Sequence, residues 1–338
     1  MGCLNLIKKN RSKPIIIYKL KSLLKRMPLS ESKKEEIQDA LRRYESGYRG
    51  EQSMDYFYRY LPQNNLNFVH GIRISHQDFF FQMDTLIITP NFLLIIESKN
   101  IAGHLYFESS YDPMIRTLNN QREAFDNPVE QVKRQSFHLM SLLQKLKITS
   151  LPIESLVVMT NPKAITEFSP TYKEARSKVI RSSGLMSKFE ELNNKNSKAI
   201  LQPNEMKRLI KYLIKQHTPE EPDVCSKFQI DKSDLLRGVF CPSCETAILQ
   251  RVKRSWYCFT CKSYYNKAHM AALIDYALLI SNTISNKSCK QFLNLSTNDQ
   301  AYYLLRTLNL PFTGNRKSRI YHLDDFVKKT TSKEDASP

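Results

Sequence analysis

Apolar residues crowd most densely between Phe79 and Lys99, in two strand-like runs, Phe79 to Thr89 and Phe92 to Lys99, separated by Pro90-Asn91. A turn centred on that pair sets position 89 opposite position 92, so Asp84 falls opposite Glu97. Lys99 then shares their face, because side chains alternate along a strand. Upstream, Ser32 to Glu35 has capping-box spacing, and Ile37, Leu41 and Tyr44 recur at helical intervals. After Gly47 a second helical pattern starts near Gly50 and runs through Met54, Phe57, Tyr58 and Leu61. Glu51 sits in its first turn, where a carboxylate suits the helix dipole.

Beyond Leu61 a strand is expected over Asn67 to Ile74, with strand-like pieces near His104 to Ser109 and Met114 to Leu118. Asn127-Pro128 opens a helix as N-cap and first residue, with Gln131 and Gln135 one turn apart and His138 near their face. Ile153 to Thr160 reads as a buried strand and Lys178 to Arg181 as another, followed by helices over Gly184 to Leu192 and Pro203 to Gln216. This order predicts an α/β domain with a mixed sheet flanked by helices. Thr218 to Asp223 is polar and proline-broken, a linker signature. Ile248 to Tyr257 reads as a hairpin, and Ala268 to Ser281 and Asp299 to Leu308 as helices. The expected division is a basic arm or helix over 1–31, an α/β domain over 32–217, a linker over 218–236, a cysteine-bearing module over 237–267 and a helical basic module over 268–338.

A chain of 338 residues with 41% apolar content has room for two or three cores. No apolar run approaches the roughly 18–20 residues that cross a bilayer, so no membrane association is expected. The basic start is a poor signal peptide, and Leu6 stands where a myristoylation signal wants Ser or Thr. A cytoplasmic, reducing location is expected. The net charge of +18 points to a polyanion partner, with a generally basic soluble protein as the alternative. Residues 1–26 carry eight Lys or Arg and no acid, as a nucleic-acid arm or a solvated helix. Asn315 to Arg319 forms a basic loop beside Tyr321 and His322.

Two clusters carry chemistry. Cys241, Cys244, Cys258 and Cys261 follow C-x2-C-x13-C-x2-C, the spacing of small four-cysteine zinc sites, with a redox pair as the alternative. Cys3, Cys225 and Cys289 have no partner at ligand spacing. On the hairpin, two carboxylates share one spot, and one lysine cannot balance them. A divalent cation held by carboxylate oxygens removes the conflict; a salt bridge inside the sheet is the structural alternative. His70, His76, His104 and His138 are read as packing or hydrogen-bonding residues.

Gly50-Glu51, Gln82-Met83-Asp84, Ile96-Glu97-Ser98-Lys99-Asn100 with Gly103, and Asn127-Pro128 with Gln131 occur in an order and spacing similar to the nuclease-related domain (NERD) family of the PD-(D/E)XK nuclease superfamily. The resemblance covers roughly residues 45–160. Ser98 stands where a small apolar residue is usual, and Ile101 where an aromatic is often found. The resemblance implies a metal-dependent nuclease acting on nucleic acid, most readily DNA. Asp84 and Glu97 would hold Mg²⁺ or Mn²⁺, and Lys99 would lower the pKa of, or orient, a metal-bound water for attack on the phosphodiester. Glu51 would join the metal directly or through water, and Gln131 would position groups near Lys99. The four cysteines would form a zinc ribbon that, with the basic tail, helps to hold the nucleic acid. A non-cleaving nucleic-acid-binding protein or scaffold with the same fold is the alternative.

Overall fold

A meander of three long strands forms the middle of the main sheet, because 67–99 is rich in β-branched, aromatic and other apolar residues, with breaks at Gln77-Asp78 and Pro90-Asn91. The computed structural model describes residues 6–28, 30–62, 64–315 and 318–335. It divides into two units, Met1–Ser12 with Glu45–Glu220, and Lys13–Tyr44 with Glu221–Pro338. Residues 13–44 thus cluster with the C-terminal part, not with the domain expected over 32–217 or an arm over 1–31. Cys3, Arg316 and Lys317 lie outside the described residues.

The first unit contains β1 (Ile7–Lys9), β2 (Asn67–His76), β3 (Phe79–Ile88), β4 (Leu93–Lys99), β5 (Gly103–Phe107), β6 (Met114–Leu118), β7 (Gln121–Phe125), β8 (Ile153–Met159), β9 (Ala164–Phe168) and β10 (Val179–Arg181). The six-stranded sheet has the order β1-β2-β3-β4-β8-β10. Strands β2, β3 and β4 are antiparallel, while β1, β8 and β10 run parallel to their neighbours, giving the mixed α/β sheet expected. One face packs Leu86, Leu93 and Ile95 against the helices Pro128–Lys145 and Pro203–Lys215 through Leu139, Leu143, Leu209 and Leu213. The other packs Ile87, Leu94 and Ile96 against Met54, Tyr58, Leu185 and Phe189. A second, four-stranded sheet in the order β7-β6-β5-β9 was not expected. Strands β7 and β9 (QREAF and AITEF) are only five residues each and carry too few apolar positions to reveal a period.

Glycine does not break the helix where its propensity predicts a break. Glu31–Tyr58 is one helix running through Gly47 and Gly50. At Gly50 a Cβ would lie 2.6 Å from the Asn100 Cβ and 2.9 Å from Thr160 Oγ1, so glycine permits close docking onto the ends of β4 and β8. Asn100 secures that contact by donating to the Ser46 carbonyl at 2.9 Å. Glu51 consequently lies deep within a 28-residue helix, and the first-turn dipole role is excluded.

In the second unit, helix Ile15–Arg26 buries Ile16, Ile17, Leu20 and Leu23. Its Arg26 is fully buried: Nε donates to Asp275 at 2.8 Å, Nη1 donates to the Leu236 and Gly238 carbonyls, and the guanidinium stacks over Phe240 and Phe292. A buried charge held through Nε and Nη1 specifies its neighbours, although Nη2 is buried without a hydrogen-bond partner, and this stretch is not a loose arm. The expected linker over 218–236 also differs from the structure. It contains the helix Val224–Lys227 and buries Val224, Cys225, Phe228 and Leu235. The ribbon strands Val239–Phe240, Ile248–Val252, Ser255–Tyr257 and Tyr264–Tyr265 form one antiparallel sheet. Trp256 and Leu249 share a core with Leu273, Phe292, Leu304 and Tyr321, so ribbon and helical module are one packed body. Among the described residues no helix is long and apolar enough to cross a membrane.

Candidate active site

Strands β3 and β4 pair Thr85 with Ile96, Leu86 with Ile95, Ile87 with Leu94 and Ile88 with Leu93. Extended one step, this register sets Asp84 against Glu97, as the turn argument requires. The ladder stops there. The Asp84 Oδ2 instead accepts the Ser98 backbone N–H at 2.8 Å. On its other side, β2 pairs His70 with Thr85 and Ile72 with Met83 but leaves Gly71 and Asp84 unpaired. Gly71 has φ of +54°, a left-handed conformation that interrupts the strand where the acid stands. Strand β4 continues past this point on its parallel partner, with Glu97 opposite Val157 and Lys99 opposite Met159.

Glu97 is 4% exposed, and its carboxylate accepts three hydrogen bonds. Oε1 accepts from Lys99 Nζ at 2.8 Å and from Gln131 Nε2 at 2.7 Å, while Oε2 accepts from Gln135 Nε2 at 2.9 Å. Lys99 Nζ also donates to Gln131 Oε1 at 2.9 Å. The N-cap at Asn127, whose side chain accepts from Val129 N–H, starts the helix at Pro128 and thereby phases Gln131 and Gln135 towards the sheet. Gln135 extends the network to the Gln82 carbonyl at 2.7 Å, and its own Oε1 is buried without a hydrogen-bond partner. Sequence reasoning placed Gln135 on the face of Gln131 but not in the site; the i, i+4 amide pair was the available signal.

Glu51 lies behind this group. Its carboxylate is 3.6 Å from Arg11 Nε, and Arg11 Nη1 also grips Asp55 at 2.7 Å. Arg11 belongs to the basic N-terminal stretch, and nothing in the sequence pattern tied it to the acids. Asp84, Glu97 and Glu51 do not all bring carboxylate oxygens within 4.8 Å of one another. The structure therefore brings Asp84, Glu97, Lys99 and Gln131 together and holds Glu51 beside them on Arg11. His70 and His76 are buried; His70 Nδ1 lies 3.3 Å from Arg11 Nη2 and 3.0 Å from Thr85 Oγ1, while His76 Nδ1 lies 3.1 Å from His138 Nδ1.

The electrostatics follow from the crowding. Burial, then the charges of Glu97 and Glu51, push the Asp84 carboxyl well above its ordinary range. Burial likewise lifts Glu51 to about 7, against the opposing pull of Arg11. For Lys99, burial works to lower its pKa, but the charge and hydrogen bond of Glu97 outweigh it and hold the ammonium protonated. Anionic charge at this site is thus under-compensated. Hard oxygen donors with excess negative charge suit a divalent cation, which Asp84 and Glu97 could hold.

In the second unit, Cys241, Cys244, Cys258 and Cys261 bring their sulfurs within 4.8 Å of one another. The Cys241–Cys261 and Cys244–Cys258 separations are 3.7 and 3.8 Å. Zinc–sulfur bonds of ~2.3 Å in a tetrahedron give edges of about 3.8 Å, so the cluster has the dimensions of a zinc ribbon. The Tyr265 hydroxyl lies 3.6 Å from both Cys241 and Cys261, as an outer group orienting the thiolates. Cys225 and Cys289 are buried, unbridged thiols.

A mixed sheet that gathers two acids and a lysine on its central strands, with helices on both faces, is a nuclease-like α/β fold. Residues 46–160 match the family model described as the nuclease-related domain, and the chain carries a NERD domain over that span. No curated protein and no solved structure matches the chain.

Proposed function

We propose that the first unit is a metal-dependent nuclease that hydrolyses phosphodiester bonds of DNA, with Asp84, Glu97 and Lys99 as its reacting set. The observation carrying this reading is the position of Asp84, outside both strand ladders and bonded through its carboxylate to the Ser98 N–H, at the register position opposite Glu97, which holds the Lys99 ammonium. Bound Mg²⁺ or Mn²⁺ supplies Lewis-acid neutralisation of charge on the phosphate. Lys99, held by Glu97 and Gln131, keeps its proton and presents a cation to a non-bridging phosphate oxygen or to the attacking water. Gln131 and Gln135 fix the Glu97 carboxylate, so that Lys99 is aimed by its partners. Glu51, on Arg11, adds negative charge that favours cation binding. The four cysteines hold one structural Zn²⁺, and the zinc ribbon with the basic tail holds the nucleic acid.

A second reading, a non-cleaving nucleic-acid-binding scaffold, is favoured by one observation: Glu97 already receives three hydrogen bonds within the chain. Purified protein incubated with plasmid and Mg²⁺ separates the two. Conversion of the plasmid by the wild type but not by Asp84→Ala is expected. Equal products from both proteins, or none from either, would remove the nuclease reading.

A further inference from the structure

After the ribbon, the second unit turns into two short helices backed by three strands. Helix Asn286–Phe292 ends at Leu293, and Asn294 takes a left-handed φ of +53°. The Leu295 N–H returns to the Lys290 carbonyl at 3.0 Å, and Thr297 caps the next helix, Asn298–Thr307, by accepting from Gln300 N–H. The strands Thr283–Ser285, Ile320–His322 and Phe312–Thr313 form an antiparallel sheet with Ile320–His322 in the middle. Cys289, Phe292, Ala301, Leu304, Leu305 and Tyr321 lock helices and sheet into one core.

That packing uses only the inner face of Asn298–Thr307. Its outer face, with Tyr302, Tyr303 and Arg306, is exposed. Arg306 reaches the Tyr302 hydroxyl at 3.5 Å, and Arg254, from the turn of the ribbon hairpin, lies 5.8 Å from the Tyr303 ring. On the strand side, Arg319 stacks 4.1 Å from the half-exposed Phe312 ring. Arg254, Arg306 and Arg319 make no ion pair with an acid among the described residues, so their charge is available to a polyanion.

We propose that this helix-turn-helix is a duplex-DNA docking element: Asn298–Thr307 enters the major groove, and Arg254 and Arg319 lie on flanking phosphates. The proposal rests on the nucleic-acid reading above and adds the element and the form of nucleic acid. A helix is ~10–12 Å across with its side chains, and the B-form major groove is ~12 Å wide. The second helix of such a pair characteristically fills that groove. The A-form major groove is too deep and narrow for the same insertion. Tyr302 and Tyr303 give the helix apolar surface for base edges and thymine methyls, while the arginines supply the phosphate contacts.

The test is fluorescence anisotropy with the full chain, without added Mg²⁺, on duplex DNA of about two helical turns. Duplex RNA and single-stranded DNA of the same sequence are the comparisons. Duplex DNA should bind at least roughly tenfold tighter than duplex RNA. Arg306→Ala with Tyr303→Ala should weaken duplex DNA binding about tenfold, with Arg306→Lys weakening it less. Arg254→Ala with Arg319→Ala should lower the salt dependence by close to two phosphate contacts. Methylating guanine N7, which lies in the major groove, should erase the duplex preference. Zinc content and melting temperature identify folded variants; if the alanine pair misfolds, Arg306→Glu on the exposed face is measured in its place. Equal affinity for DNA and RNA duplexes would overturn the proposal. So would folded variants with unchanged duplex binding, or a loss as large on single strands. Binding is read here without Mg²⁺ and plasmid conversion above is read with it, so failure of the docking element and failure of the nuclease reading give different results.

Discussion

The ribbon cysteines come from two CxxC turns within residues 241–261, whereas the acidic cluster draws on β3, β4, a helix residue at 51 and a later helix at 131–135. In the first centre the backbone spacing alone brings four like donors together, so the ligand set exists as soon as one hairpin folds. In the second, Asp84 and Glu97 share one hairpin, but Glu51, Gln131 and Gln135 come from helices distant in sequence. Their approach depends on strand register, on a glycine that lets a helix dock, and on the phase of another helix. A locally built centre specifies fold; a centre assembled over long range is specified by it. Charge differs in the same sense: four thiols form a compact set for one cation, while three carboxylates face one lysine and one arginine and remain in conflict.

The largest effect should come from breaking the local centre. Cys244→Ser should release zinc and unfold the second unit's core, since apparent zinc binding of ~10–16 kcal/mol matches or exceeds the ~5–15 kcal/mol stability of a domain. Elemental analysis and a thermal melt check this; a zinc-free chain melting like the wild type would show that the cysteines contribute no folding energy. At the long-range centre the fold should survive comparable damage. Lys99→Ala should slow cleavage by about 10²–10⁴-fold while leaving Mg²⁺-induced thermal stabilisation in place. A loss of both together would assign Lys99 to building the site.

Smaller effects probe the charge conflict. Glu51 has a folded pKa raised to about 7, above its ordinary 4.5. Its stabilising contribution is therefore full below pH ~4.5 and is lost as pH rises through ~7. Metal-free Glu51→Gln should accordingly match the wild type near pH 5 and exceed it at pH 8, by on the order of 1–3 kcal/mol. Parallel denaturation curves at the two pH values would contradict this. Smallest of all, Gln131→Ala should reduce cleavage by less than Lys99→Ala, because Gln135 still holds the other oxygen of Glu97. A deficit equal to that of Lys99→Ala would make Gln131 a full partner.

The same contrast explains how much was legible in the sequence. The hairpin register, the Asn127 cap and the cysteine spacing are short-range facts, and each was readable from adjacent residues. The span of the helix Glu31–Tyr58 was not, because Gly50 is there for a neighbour 50 residues away, and propensity sees only a breaker. Arg11 was lost in a basic stretch because its partner Glu51 is brought to it by β1 pairing with β2. The unit boundary after Glu220 falls inside the expected linker, but that linker was drawn too long, because no periodicity in 224–236 marks Val224, Cys225 and Phe228 as residues the fold buries.

The bond from the Ser98 amide to Asp84 replaces a rung of the sheet with a side chain that titrates. Its chemical shift in a nuclear magnetic resonance spectrum should therefore follow the ionisation of Asp84. Its hydrogen-exchange rate should slow when a cation holds that carboxylate charged and in place. A single backbone proton between the two strands thus reports the state of the site without any substrate or substitution.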